Sequence, residues 1–403
     1  MKFQFFSLTC ACIVAASRPT LAQQPVTRAA AIAAVIDHGP RVALARADSA
    51  AAQAQLTIAR QFENPVASAT YSKSVPQQHY ALGIPIDFPW MRSPRISGAL
   101  AGTEAAQYRF LFERAAATYI ADTSYTRALV AEKRMVLSGR SARDGDSLLV
   151  LSRLRRDAGD GSELDVQLAT VVAGQLANMA ARDSLETAAA LSDLQSLMGI
   201  NANAPVITLA DSLDIGIAEP DAADGLRLLE AAADADTRAA EFRVRQQQRT
   251  LFATPSLSVG FEAHDPTGVE TGKLPTIGVA VSLPLFNQNR GAIMLAQADR
   301  ARARAVLALV RLEGGAQLIR ARRELTAARN RAARSERLRQ SAERVSALSL
   351  LAFREGAAAL PSVLEAQRTS REALSQYVAD VAAARNAAGI VRLLTLTVDR
   401  TQP

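Results

Sequence analysis

Four short segments of the chain alternate apolar with small or polar residues at a period of two. In the second half, Leu257, Val259 and Phe261 fall on one side of a run whose other side is Ser258, Gly260 and Glu262. A loop follows, from Asp265-Pro266 through Gly268 to Gly272. Then Ile277, Val279, Val281 and Leu283 alternate with Gly278, Ala280 and Ser282. Successive side chains of a strand point to opposite faces, so this period predicts two strands, about 255–263 and 275–284, joined as a hairpin by the turn residues. The first half holds a sister hairpin. Ala67, Ala69 and Tyr71 alternate with Ser68, Thr70 and Ser72, and after Val75-Pro76 the residues Tyr80, Leu82, Ile84 and Ile86 alternate with Ala81, Gly83 and Pro85. This predicts strands at about 65–73 and 79–88.

Everything around the hairpins has helical patterning. Val26 to Phe62 reads as helix with a break at His38-Gly39-Pro40, and Asn64-Pro65 ends it, because proline disfavours helix in the residue before it. The next helix is predicted over about 95–157, weakened but not broken by Gly139 and Gly145; ~60 residues at 1.5 Å each give ~90 Å. Gly159-Asp160-Gly161-Ser162 is a tight reversal with Ser162 as N-cap, and a return helix over about 162–198 ends at Gly199. Asn201 to Pro220 reads as a link with one short strand. From Asp221 short helices lead to Phe252 and stop at Thr254-Pro255. A helix over about 287–354 then turns at Glu355-Gly356 and returns over about 360–394.

The order is duplicated. Asn64-Pro65 answers Thr254-Pro255, Gly159 answers Gly356, and Leu197-Met198-Gly199 answers Ala387-Ala388-Gly389, at offsets of about 190 to 197 positions. That is far longer than a solenoid period. The expected division is a leader over 1–22, a first repeat over 23–219 and a second over 220–403. Leu318, Ala321, Leu325, Ala328, Ala332 and Ser335 keep the 3-4 spacing of coiled-coil packing, with small residues that admit close helix approach. Arg320, Arg322, Arg323, Arg329 and Arg331 lie off that seam and read as a solvated face balanced by Glu313, Glu324 and Glu336. The fold class is α+β, mainly α.

Charge and cysteine content enter after the N-terminus is considered. Met1-Lys2, an apolar run from Phe3 to Ala16 and the small-residue exit Thr20-Leu21-Ala22 have the form of a secretory signal peptide cleaved after Ala22. N-terminal lipidation is not expected, because Ser7-Leu8-Thr9 before Cys10 is a poor match and lies too early. Cys10 and Cys12 both fall inside the leader, so the mature chain has no thiol or disulfide chemistry. Loss of Lys2 and Arg18 lowers the net charge by two, from +7 to +5. Export and the near-absence of aromatics among the arginines argue against nucleic acid. No later run approaches the ~18 apolar residues of a spanning helix.

Four strands cannot close a barrel around a lumen, and an open sheet leaves two edges whose backbone groups need partners. In a bilayer such edges are forbidden. If these strands span a membrane, several chains must pool them, and three chains give twelve. A soluble sandwich would show the same alternation. The small number of strands for so long a chain, and the helices ending beside each hairpin, favour pooling. Leu82, Ile84, Val259, Phe261, Val279 and Val281 would then face lipid.

Ordered motifs in both halves resemble the TolC family of outer-membrane efflux proteins. They are Glu63-Asn64-Pro65, Gly83-Ile84-Pro85-Ile86-Asp87-Phe88-Pro89 with Arg92, and Gly278-Val279-Ala280-Val281-Ser282-Leu283-Pro284-Leu285-Phe286 with Asn289-Arg290. At the helix turns they are Arg156-Asp157-Ala158-Gly159 with Glu163-Leu164-Asp165-Val166, and Phe353-Arg354-Glu355-Gly356 with Val363-Leu364-Glu365-Ala366-Gln367-Arg368. The last of these, with the modest length, leans toward metal-efflux-type members. The resemblance implies a homotrimer, with a twelve-stranded outer-membrane β-barrel continuing into a periplasmic α-helical barrel. It implies an exit duct served by a periplasmic adaptor (membrane-fusion) protein and an inner-membrane pump of RND type. Docking is expected at the turns, around Gly159, Gly161, Ser162, Gly356 and Leu360. Asp165 and Glu365 are expected at matching positions in the periplasmic constriction, with Ser362 where many members carry a second carboxylate. Phe353 and Ala358 replace a polar pair that latches the closed state in other members. Early-helix charge complementing the helix dipole is the other reading of Asp165 and Glu365.

No enzyme is expected, and no cofactor or metal. His38, His79 and His264 are scattered, no HExxH or CxxC spacing occurs, and Gly314-Gly315 lies within a helix as a close-packing site rather than a phosphate loop. The competing reading is a periplasmic coiled-coil adaptor or scaffold without a pore, which the duplication and the paired hairpins disfavour.

Overall fold

The structure is a computed structural model that describes residues 24–74, 76–201, 204–213, 225–250, 255–263 and 273–398. The leader, His264 and the Asp265–Gly272 loop lie outside the described residues. In chain order the elements are β1 (Gln24–Val26), α1 (Arg28–His38), α2 (Pro40–Arg60), β2 (Val66–Tyr71), β3 (Gln78–Pro85), α3 (Pro89–Asp157), α4 (Glu163–Leu197) and β4 (Ile207–Leu209). They continue as β5 (Leu226–Arg227), α5 (Leu228–Arg249), β6 (Ser256–Ala263), β7 (Leu274–Ala280), α6 (Arg290–Arg354), α7 (Leu360–Thr395) and β8 (Thr397–Val398).

The helices carry the structure. α3 has 69 residues and α6 has 65, so each runs for about 100 Å. α3 lies along α4, and α6 along α7. The shorter α2 and α5 flank the ends of these long helices nearer the sheet, α2 against α3 and α5 between α3 and α6. The seams are lined by small residues. Ala321, Leu325, Ala328, Ala332 and Ser335 are buried against Val381, Ala384, Ala387, Ala388 and Val391 of α7. Ser335 donates its hydroxyl to the buried carboxylate of Asp380, whose other oxygen accepts from Gln376 at 3.1 Å. That polar pair sets the register of two otherwise apolar faces. Gly314 approaches the Arg227 guanidinium, 2.7 Å from where a Cβ would stand, while a Cβ at Gly315 would meet nothing. The close approach at this pair is therefore to a side chain rather than to a second helix backbone.

A second core surrounds Tyr125 in mid-α3, with Leu129, Ala121, Leu194, Val35 and Ile207. It fixes the start of the described chain. β1 pairs in parallel with β4, the Tyr125 hydroxyl donates to Val26 O at 2.8 Å, and Arg28 N donates to Asp211 Oδ2 at 2.6 Å. The other half has its own two-stranded sheet, β5 with β8. Three of these four short strands were not expected from the sequence.

Two helix limits differ from the sequence reading. α3 begins at Pro89 rather than near Arg95, and Pro94 lies inside it. Pro89 suits the first turn, where its missing N–H has no partner to lose. Pro94 would leave the carbonyl of Trp90 without a helical donor. Arg249 Nη1 supplies one at 3.0 Å. Among the described residues the segment leading to the second hairpin holds one helix, α5, rather than several short ones, because its Ala-rich inner face (Ala231, Ala232, Ala235, Ala240) packs continuously.

The hairpins join into one four-stranded antiparallel sheet in the order β2-β3-β6-β7. The β3–β6 pair is the joint between the two halves. Its register sets Tyr80 opposite Phe261, Leu82 opposite Val259 and Ile84 opposite Leu257. β2 and β7 are the edges. No helix among the described residues is long and apolar enough to cross a membrane.

Candidate functional site

The sheet has two unlike faces. Opposed residues in a ladder point the same way. Ala67–Leu82–Val259–Ile277 and Ile84–Leu257–Val279 therefore form cross-strand rows on one face. The same face carries the stacked pair Tyr80 and Phe261, with ring centroids 5.0 Å apart. The other face carries the rows Gly83–Ser258–Gly278 and Ala81–Gly260–Thr276, and His79 with Glu262, whose Nδ1 and Oε1 are 3.2 Å apart. The apolar face is uncovered. Leu82, Ile84, Val259, Phe261, Val279 and Val281 are all exposed, Val279 to 67%. Val281 lies one residue beyond the end of β7. Contiguous exposed apolar area of this kind marks an interaction with lipid or protein.

The turns lie at the opposite end of the long helices and are built twice to one plan. In the first, Gly159 takes φ +78°, its N–H bonds Arg156 O at 2.9 Å and that of Asp160 bonds Arg155 O at 2.8 Å. In the second, Gly356 takes φ +75°, its N–H bonds Phe353 O at 3.1 Å and that of Ala357 bonds Ala352 O at 2.8 Å. Both are Schellman caps, whose left-handed residue favours glycine. A Cβ at Gly161 would stand 3.1 Å from Arg156 N, so a side chain there would press on the end of its own helix.

The return helices start differently. Ser162 and Asp165 form a capping box: Asp165 N donates to Ser162 Oγ at 3.1 Å, and Ser162 N donates to Asp165 Oδ2 at 3.2 Å. α7 has Ala359 at its N-cap with no side-chain bond. Counted from the caps, Asp165 is the third residue of α4 and Ser362 the third of α7, whereas Glu365 is the sixth. The structure thus corrects the expected equivalence: Asp165 corresponds to Ser362, and Glu365 to Leu168. Glu365 is exposed and held by Arg368, with Nη2 to Oε1 at 2.8 Å and Nε to Oε2 at 3.0 Å. Those hydrogen bonds hold its carboxyl below the usual carboxylate range. Glu163 is lowered likewise, first by the Gln167 amide and then by Arg156.

Gly159, Ser162 and Gly356 are exposed at the turns, but Leu360 is only 2% exposed, buried with Leu148, Ala169, Phe353 and Val363. Its side chain is therefore a core residue and is not presented to a partner. Phe353, noted for its place in the latch, is a core residue too. The Arg155 guanidinium lies 4.9 Å over its ring, donates to its carbonyl at 3.3 Å and binds Asp160 Oδ2 at 2.7 Å. Arg155 thereby ties the first turn to the second. Its position in the Arg-rich helix end gave no sequence signal for that role. Among the described residues no cluster of three or more His, Cys, Asp or Glu could hold a metal.

Comparison with solved structures gives the fold a name. The chain has the fold of bacterial outer-membrane channels. A membrane protein from Pseudomonas aeruginosa is 19% identical, with 91% of this chain and 93% of that one covered and a TM-score of 0.77. The outer membrane protein VceC from Vibrio cholerae is 19% identical, over 92% and 96%, with a TM-score of 0.74. The CmeC outer membrane channel of Campylobacter jejuni is 15% identical, over 100% and 96%, with a TM-score of 0.73. No protein-family profile and no curated protein matches the chain by sequence. The likeness covers more than nine-tenths of the chain, and at these identities it concerns the fold.

Proposed function

We propose that this chain is the outer-membrane exit duct of an efflux system, working as a homotrimer. The observation that carries the reading is the four-stranded sheet with two free edges and an uncovered apolar face. Three copies joined edge to edge supply twelve strands and leave no unpaired backbone in lipid. The apolar rows face the outer-membrane lipid, and the Gly, Ser, Thr and Glu rows line a wet lumen. The long helices, which leave the sheet on one side, continue that lumen as a periplasmic tunnel. An adaptor meets the tunnel around the Gly159 and Gly356 turns, and an RND-type pump supplies substrate and energy. The fold shared with outer-membrane channels supports this over a pore-less adaptor. The chain contributes a conduit and no bond-making chemistry.

The decisive variant is Val259→Arg, in the middle of β6 and on the same exposed apolar face. Arginine at the bilayer midplane costs about 2–4 kcal/mol on a barrel's lipid face. The variant is expected to drop out of the outer-membrane fraction while the wild type is extracted as a conducting trimer. A soluble scaffold would tolerate arginine at so exposed a position, and normal yield of the variant would sink the channel reading. At the turn end, Asp165 and Glu365 supply negative charge to the constriction at two successive levels of the return helices rather than at one. Asp165→Asn with Glu365→Gln should weaken cation preference and divalent block in single-channel recordings. Unchanged selectivity would take both out of the pore.

A further inference from the structure

Four helix ends meet beside the sheet, and their side chains form a collar of aromatic and basic groups. Arg92 is the hub. Its guanidinium stacks 4.0 Å over the Phe62 ring and donates to Arg60 O at 2.8 Å, while Arg95 donates to Ala59 O at 3.0 Å. These two arginines close the C-terminal carbonyls of α2. Phe88 and Trp90 stack with centroids 4.2 Å apart at the start of α3, where Arg249 from the end of α5 binds the Trp90 carbonyl. Asn289, before Arg290, donates to Gln247 O at 2.8 Å and so brings the start of α6 to the same level. Phe62, Trp90, Leu285 and Phe286 are exposed here, Phe286 completely.

The charge of the collar is one-sided. Asp87 is mostly buried and neutralised by Arg95 at 2.5 Å, with Arg92 at 4.0 Å. Glu63 is the other carboxylate on the connecting segments. Arg60, Arg249 and Arg290 are exposed, and none has a carboxylate partner among the described residues. The uncovered apolar rows of the sheet end at this level, at Val66, Pro85, Ser256 and Ala280. Aromatic rings flanked by arginines, next to an apolar face, fit the boundary between hydrocarbon and headgroups.

We infer that this collar binds anionic phospholipid headgroups of the periplasmic leaflet, with their phosphates held along it by Arg60, Arg249 and Arg290 and their acyl chains lying along the Ile84–Leu257–Val279 row. The inference rests on the sheet being membrane-inserted. It adds a preference for anionic over zwitterionic lipid, which insertion alone does not require.

The test uses full-length protein extracted from outer membranes in detergent and delipidated. Native mass spectrometry then reads its retention of phosphatidylglycerol against phosphatidylethanolamine at equal concentration. Wild type is expected to retain phosphatidylglycerol several-fold better. Arg60→Gln with Arg290→Gln should bring retention of the two lipids close to equal, and the matching Lys pair should keep most of the preference. Equal retention of the two lipids, or an unchanged preference in the Gln pair, overturns the inference. Displacement of the lipid by millimolar inorganic phosphate also overturns it, since the site would then read a free anion. A membrane-extracted protein with no lipid preference removes this inference alone. A chain absent from the membrane fraction removes the channel reading as well.

Discussion

Gly260 shows how narrowly a single position can be constrained. It lies in β6 between Ala81 of β3 and Thr276 of β7, and a Cβ there would stand 2.2 Å from Tyr80 O and 3.1 Å from the Ala81 Cα. Both obstacles are backbone, so Gly260→Ala must part the strands that join the two halves. On the trimer reading, the variant is expected to lose most of its oligomer on a semi-native gel. Gly278→Ala should keep it, because its added methyl meets only the movable Ser258 hydroxyl at 2.6 Å. Residue-scale behaviour at the turns is electrostatic. Glu163 and Glu365 have carboxyls held below their ordinary range in the folded chain. A group depressed on folding lends stability that is complete above its unfolded pKa, near 4.3, and is lost as pH falls through the lower folded value. Hydrogen exchange in the first turns of α4 and α7, corrected for intrinsic rate, should stay flat from neutral pH to about pH 4.5 and rise only below it. Ser162→Ala should act at every pH, raising exchange at the Asp165 amide about fivefold for a cap worth about 1 kcal/mol.

At the scale of elements, what could be read from the sequence follows from how local its cause is. The hairpin strands announce themselves because apolar residues alternate and Asn64-Pro65 and Thr254-Pro255 stop the preceding helices. The turns are legible because Gly159 and Gly356 sit between long helical patterns, and Ser162 has its Asp165 three residues on. The β3–β6 joint is not legible, since nothing within either hairpin states that it pairs with the other. β1, β5 and β8 have two or three residues each, too few for a period, and are held by Tyr125 and by the ends of α5 and α7. The burial of Leu360 and Phe353 depends on contact between the two turns, 197 residues apart in the chain. The early start of α3 is the clearest case: Pro94 argues locally against helix, and a guanidinium from α5 supplies the missing donor. Arg249→Ala should therefore fray the N-terminus of α3, at a cost of about 0.5–1.5 kcal/mol for one net hydrogen bond. Faster exchange confined to residues 91–97 would show it, and unchanged exchange there would mean water serves the Trp90 carbonyl equally well.

For the whole molecule the two edges of the sheet decide the assembly. β2 and β7 run in opposite directions, because the four strands between and including them alternate. Joining β7 of one copy to β2 of the next therefore continues the antiparallel order without a defect, and every copy both gives and receives the same edge. Such a head-to-tail contact closes into a ring or grows without limit, according to the rotation per copy. Strand number chooses between them: two copies would leave only eight strands, which side chains fill, whereas three give twelve and room for a lumen. The mature chain lends itself to a direct count, because its cysteines fall within the expected leader, at Cys10 and Cys12. A single cysteine at Ala69 on β2, combined in turn with one at each position from 274 to 280 on β7, should yield a register at which oxidation links neighbouring copies. In a closed trimer the non-reducing gel then shows covalent species of two and three chains and nothing larger, at any protein concentration. A ladder running past three chains would mean an open array. Linkage within one chain, with no intermolecular band, would mean that a single sheet curls on itself, and the shared barrel would have to be abandoned.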